Sequence, residues 1–227
     1  MALKTQKGLF ADKATLILRA LLKNPSKNWV VRDLVRECRV SLGLVSKTIG
    51  FLNELGYVRV ERGRTGYINV VNLKAILSDW VYHYDFSLNA VFSLYSPDKN
   101  ALPKLKAFLI KKGLAESYAL TLHSGANLLT NYVSDENSYL YLASESFHKI
   151  VREIQDRLGF KQLRHGGNVH LIQPYYKNSA FYDCRTIRQF RVVSDLQLYL
   201  DLYHFAPRGR EHAEHLKKLL EKEKSFP

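Results

Sequence analysis

The fold is decided by residues 28–70, NWVVRDLVRECRVSLGLVSKTIGFLNELGYVRVERGRTGYINV. Ser41 stands where a helix N-cap is needed, its hydroxyl able to accept from an orphan backbone amide. Val45, Ile49, Leu52 and Leu55 then recur at helical spacing and predict a buried stripe. Leu42, Gly43, Ser46, Lys47 and Gly50 fall on the other faces of the same helix. Gly43 and Gly50 lower helix propensity, and their small size admits the close approach of a backbone or a phosphate. Gly56 is a suitable C-cap. A preceding helix over about residues 31–38 buries Val31, Leu34 and Val35 and exposes Arg32 and Arg36.

Downstream, Val58 and Val60 alternate with Arg59 and Glu61, which is strand periodicity. Arg62-Gly63-Arg64-Thr65-Gly66 forms a tip with two glycines and two arginines, and Tyr67-Ile68-Asn69-Val70 returns. Helix, tight turn, helix and two-stranded ribbon follow in the order of a winged helix-turn-helix, whose second helix enters the major groove of DNA. The candidate DNA contacts are Ser41, Leu42, Gly43, Ser46, Lys47, Arg59, Arg62, Arg64 and Thr65. Leu42, Gly43, Ser46 and Lys47 are expected nearest base edges; Lys47, Arg59, Arg62 and Arg64 at phosphates or in the minor groove. The plainer alternative is a helical hairpin on a ribbon, used for protein contacts.

Charge favours the first reading. The chain of 227 residues carries +13, and residues 1–72 supply +8 of it. Clustered cations are what phosphate neutralisation requires. A length of 227 residues suits two modest domains. Two cysteines far apart, Cys38 and Cys184, make neither a disulfide framework nor a zinc site, which fits a reducing cytoplasm. The first residues lack the apolar core of a signal peptide, and no apolar run reaches the length of a membrane span.

The domains expected are 1–72, a winged helix-turn-helix; 73–88, a connecting helix; and 89–227, an α/β domain with a mixed sheet and a C-terminal helical hairpin. The fold class is α+β. An outer helix over 12–23 carries Ala14, Ile17, Leu18, Leu21 and Leu22 inward, and 72–85 forms an amphipathic bridge. Strands are expected over 90–95, 118–122, 138–143, 169–172 and 187–193. Helices are expected over 102–112, 127–132, 147–158, 195–204 and 208–224. In the hairpin, Leu196, Tyr199, Leu200 and Tyr203 form one apolar face, and Asp201 pairs with Arg208 or Arg210. His212 and His215 read as a solvated face, since their order with Glu211 and Glu214 matches no zinc-hydrolase pattern.

A strand, a Gly-Ser-type turn with a short helix, and another strand resemble the nucleotidyltransferase fold. Active members carry two acids on that next strand to hold Mg²⁺ against a triphosphate. Here the turn is His123-Ser124-Gly125-Ala126 and the strand is Ser138-Tyr139-Leu140-Tyr141-Leu142, without acids. Asp135 and Glu136 precede it, in a loop. The domain is therefore expected to be a non-catalytic relative, with no catalytic residue, no metal and no cofactor.

The tail, Val192-Val193-Ser194-Asp195-Leu196-Gln197-Leu198-Tyr199-Leu200-Asp201-Leu202-Tyr203 and Arg208-Gly209-Arg210-Glu211-His212-Ala213-Glu214-His215-Leu216, resembles the closing segment of AbiEi-like antitoxins. These belong to type IV toxin–antitoxin systems. The resemblance implies a DNA-binding transcriptional regulator that represses its own operon and opposes a nucleotidyltransferase toxin. The partners implied are double-stranded DNA, that toxin and a second copy of the chain, with no membrane. Two alternatives remain: a nucleotidyltransferase with displaced acids at Asp135 and Glu136, and a ligand-sensing winged-helix regulator.

Overall fold

The computed structural model describes residues 8–61, 63 and 66–222. Contacts divide the chain into two compact units, which part between Tyr84 and Asp85.

In the first unit, helices α1 (Asp12–Lys23), α2 (Val31–Cys38) and α3 (Leu42–Glu54) precede an antiparallel hairpin of β1 (Val58–Glu61) and β2 (Tyr67–Val70), then helix α4 (Leu73–His83). The core is made where apolar stripes meet. Ile17, Leu18 and Leu21 of α1, Leu34 of α2, and Val45, Ile49 and Leu52 of α3 are all buried. Each such side chain contributes about 1.5–3 kcal/mol. Leu55, expected in that stripe, is instead exposed at the helix end, and Val31 and Val35 are only half-buried. Gly56, at φ +71°, lets Tyr57 N–H reach back to the Leu52 carbonyl and close α3.

The hairpin is fixed from two sides. Trp29, fully buried, exchanges both backbone hydrogen bonds with Ile68, at 3.0 and 2.7 Å, and so adds a third extended segment beside β2. Asn53 of α3 accepts from Val60 N–H at 3.2 Å. The Tyr57 hydroxyl donates to Asp79 of α4. Helix α4, read from sequence as a bridge, is part of this unit: Ile76, Leu77 and Trp80 are buried, and the Arg19 guanidinium lies 5.0 Å from the Trp80 ring centre.

The second unit is built on a six-stranded mixed sheet of order β3-β6-β5-β4-β8-β7. The strands are β3 (Ala90–Leu94), β4 (Tyr118–Leu120), β5 (Ser138–Leu142), β6 (Val169–Gln173), β7 (Arg185–Ile187) and β8 (Phe190–Val192). Its helices are α5 (Ala101–Lys111), α6 (Leu122–Ala126), α7 (Phe147–Leu158), α8 (Asp195–Tyr203) and α9 (Gly209–Lys222). Strand β5 runs antiparallel to β4 and parallel to β6. Tyr139 to Leu142 are buried without alternation, so both faces of β5 are covered by other elements.

Three expectations fail here. The short helix lies at α6, not over 127–132, and opens on Leu122 at φ +49°. The strand expected over 187–193 is a hairpin, β7 and β8, turning on Arg188 and Gln189, both at positive φ. Helix α8 is not one-faced: every residue from Asp195 to Leu202 is buried.

Asp201 explains how a polar residue survives there. It pairs with neither Arg208 nor Arg210. Its carboxylate accepts from Thr121 Oγ1 at the end of β4, from Tyr141 OH on β5 at 2.9 Å, and from Gln197 Nε2 at 2.7 Å. Arg208 instead meets Glu211, and Arg210 stands over the Tyr203 ring. One buried carboxyl group thus ties two strands to a helix. Asp201→Ala leaves at least three buried donors without this acceptor and is expected to lower unfolding free energy by about 3–5 kcal/mol, read by urea titration, with Asp201→Asn less damaging.

Candidate nucleic-acid interface

Helix α3 has one buried stripe and one open one. Val45, Thr48, Ile49 and Leu52 are inside; Ser41, Leu42, Gly43, Ser46, Lys47 and Gly50 are exposed. Burial of the first stripe fixes the direction of the second. Ser41 caps the helix, its Oγ accepting from Leu44 N–H at 3.3 Å. The first-turn amides carry the positive end of the helix dipole. An added Cβ at Gly43 or Gly50 would meet no atom within 4 Å, so packing within the chain does not require glycine at either position. Lys47 leans over the Phe51 ring, its Nζ 5.7 Å from the centre.

The structure brings Ser41, Leu42, Gly43, Ser46 and Lys47 onto one exposed face. Arg59 is exposed on β1, paired across the hairpin with Asn69. Arg62, Arg64 and Thr65 lie outside the described residues. Three cations add to the sequence-derived set. Arg32 and Arg36 are exposed one turn apart on α2, with Arg36 held by Asp33. Arg39 sits in the turn between the helices at φ +52°, exposed. The spacing of Arg32 and Arg36 was a usable signal; nothing in the local sequence marks Arg39 as left-handed, because glycine is the usual occupant of such a backbone. Beneath this face Cys38 donates to the Leu16 carbonyl, and burial, reinforced by Glu37, pushes its thiol up to about 12.

The second unit's turn residues have packing roles. Ser124 Oγ donates to the Asn137 carbonyl and accepts from Tyr139 N–H, at 3.1 and 2.8 Å, tying α6 to the start of β5. Gly125 is required by contact: a Cβ there would lie 2.7 Å from Leu198 Cδ2 and 3.1 Å from the Leu120 carbonyl. Asp135 accepts from Asn137 N–H and Nδ2 and bonds the Tyr139 hydroxyl, while Glu136 is exposed. Among the described residues no group of three or more His, Cys, Asp or Glu side chains is placed to hold a metal ion.

His212, expected on a solvated face, is fully buried, and so is His123. Their Nδ1 atoms are 2.9 Å apart and their rings stack at 5.2 Å. His123 also donates to the Pro207 carbonyl. One Nδ1 of the pair carries the proton that the other accepts. His215 stacks on Tyr132 at 4.1 Å. Burial, then the neighbouring His123, His215 and Arg208, lowers His212 to about 4; burial lowers His123 as well.

Residues 69–222 match the family model described as transcriptional regulator, AbiEi antitoxin, type IV TA system. The match takes in α4 and the whole second unit, and α1 to α3 precede it. No curated protein and no solved structure matches the chain. Among the described residues no helix is long and apolar enough to cross a membrane.

The histidine pair gives stability a pH dependence. An unfolded histidine protonates near 6.5 and folded His212 only near 4, so the unfolded chain binds more protons between these values. The contribution is complete above pH 6.5 and is lost as pH falls toward 4. The melting temperature of the wild type should fall across that window, and His212→Asn, which stays polar toward His123 without titrating, should flatten the decline.

Proposed function

Because this chain belongs to the AbiEi antitoxin family of transcriptional regulators of type IV toxin–antitoxin systems, we propose that it is a sequence-specific repressor of its own operon. Its first unit is a winged helix-turn-helix that reads duplex DNA. Its second unit is a nucleotidyltransferase-like domain without catalysis, which opposes a nucleotidyltransferase toxin. The protein acts in the cytoplasm, as a homodimer.

One observation supports this most. The Ser41-capped helix α3 turns a stripe of small, polar and cationic residues outward while the opposite stripe is locked into the core. Arg32, Arg36, Arg39 and Arg59 stand exposed on the same unit. A duplex is a polyanion with a groove wide enough for one helix, and that combination of shape and charge is what such a surface fits. The hairpin after α3 would lie along the adjacent backbone. Support for the non-catalytic reading is local: Tyr139 and Tyr141 occupy the strand where metal-binding acids would stand, and Asp135 is engaged by Asn137 and Tyr139.

The test uses the full chain and the duplex immediately upstream of its own reading frame. Tight binding over a random duplex, with a steep salt dependence, is expected. Arg62→Ala and Arg64→Ala should each weaken binding to every duplex and reduce the salt slope by about one. Equal affinity for upstream and random DNA would refute the operator reading, and an unchanged salt slope in both variants would refute the wing.

A further inference from the structure

Beside the first turn of α3 lies an open groove of about 560 Å³, lined by Arg32, Val35, Arg36 and Leu42, and nearly all carbon. Leu42 is 59% exposed. A large apolar side chain left in water at the first position of a helix gains nothing from the fold. Its neighbour Gly43 adds open space, with no atom within 4 Å of an added Cβ. Arg32 carries positive charge at the groove's rim, Arg36 being paired with Asp33, and Ser46 and Lys47 continue the same helix face.

An occupant must therefore present apolar surface beside negative charge. In duplex DNA one feature does this: the 5-methyl group of thymine, which projects into the major groove between two phosphate backbones. We propose that Leu42, backed by Val35 and the stems of Arg32 and Arg36, selects operator sites by seating a thymine methyl. The Arg32 guanidinium grips a flanking phosphate, while Arg36, paired with Asp33, lines the groove with its stem, and Gly43 lets the base edge come close. This rests on the DNA-binding reading above and adds the chemistry by which a base is chosen. A second copy of the chain would fill the groove differently, and that is one outcome of the test.

Duplexes bound by the full chain are selected from a synthetic random pool, which holds no methylated cytosine. Thymines of the selected duplex are then replaced singly by deoxyuridine, which removes only the methyl. At one position or more, the replacement should weaken binding by about three- to fivefold, the value of one buried methyl. Leu42→Ala should bind the thymine and uracil duplexes equally, and Leu42→Met, which keeps an apolar reach, should retain the preference. Wild-type binding that no uracil weakens, or a uracil penalty that survives in Leu42→Ala, would overturn the inference while leaving DNA binding intact. If Leu42→Ala instead lowers the oligomeric mass and keeps the uracil penalty, the groove is a contact between copies. If no duplex is enriched, the DNA-binding reading itself fails.

Discussion

The burial of Val45, Ile49 and Leu52 against α1 and α2 is the constraint on which the first unit depends. Once that stripe is inside, the remaining faces of α3 have no freedom. Leu42, Gly43, Ser46, Lys47 and Gly50 must point away from the core, whatever they do there. Helix propensity does not account for them, since two of the five are glycines. Packing does not account for them either, because both glycines border empty space. A surface that costs stability and that core packing does not require is the one the proposed duplex would meet. Trp29, Asn53 and Tyr57 then hold the hairpin at a set position relative to the same helix.

The second unit solves a different problem. Its sheet centre is covered on both faces, so its polar groups must find partners inside. Asp201 gathers Thr121, Tyr141 and Gln197; Ser124 binds both ends of the Asn137–Tyr139 step; His123 and His212 meet through their Nδ1 atoms. The side chains around α6 that invite comparison with a catalytic turn are thus committed to holding α6, β5, α8 and α9 together.

Elements with strong periodicity were legible in the sequence. The two helices of the 31–54 region, the ribbon and the five-residue strand β5 follow from apolar spacing, and Ser41 caps as its position implies. What escaped was tertiary. Helix α6 has five residues, too few for a period, and begins at a left-handed leucine. The β7–β8 turn uses Arg188 and Gln189, where glycine or asparagine would have announced it. His212 looked solvated because its partner His123 is 89 residues away, and Asp201 seemed destined for a nearby arginine because Thr121 and Tyr141 are 80 and 60 residues away. Local pattern fixes which residues are apolar; it does not say which polar groups the fold will bring together.

The central claim is that α3 and its ribbon, not the second unit, grip the duplex. Amide hydrogen exchange of the full chain, with and without its upstream duplex, addresses this most directly. Slowed exchange over residues 42–47 and along β1 and β2, with the six-stranded sheet unchanged, is the expected result. Protection confined to residues 85–222, with α3 exchanging as in the free protein, would contradict it.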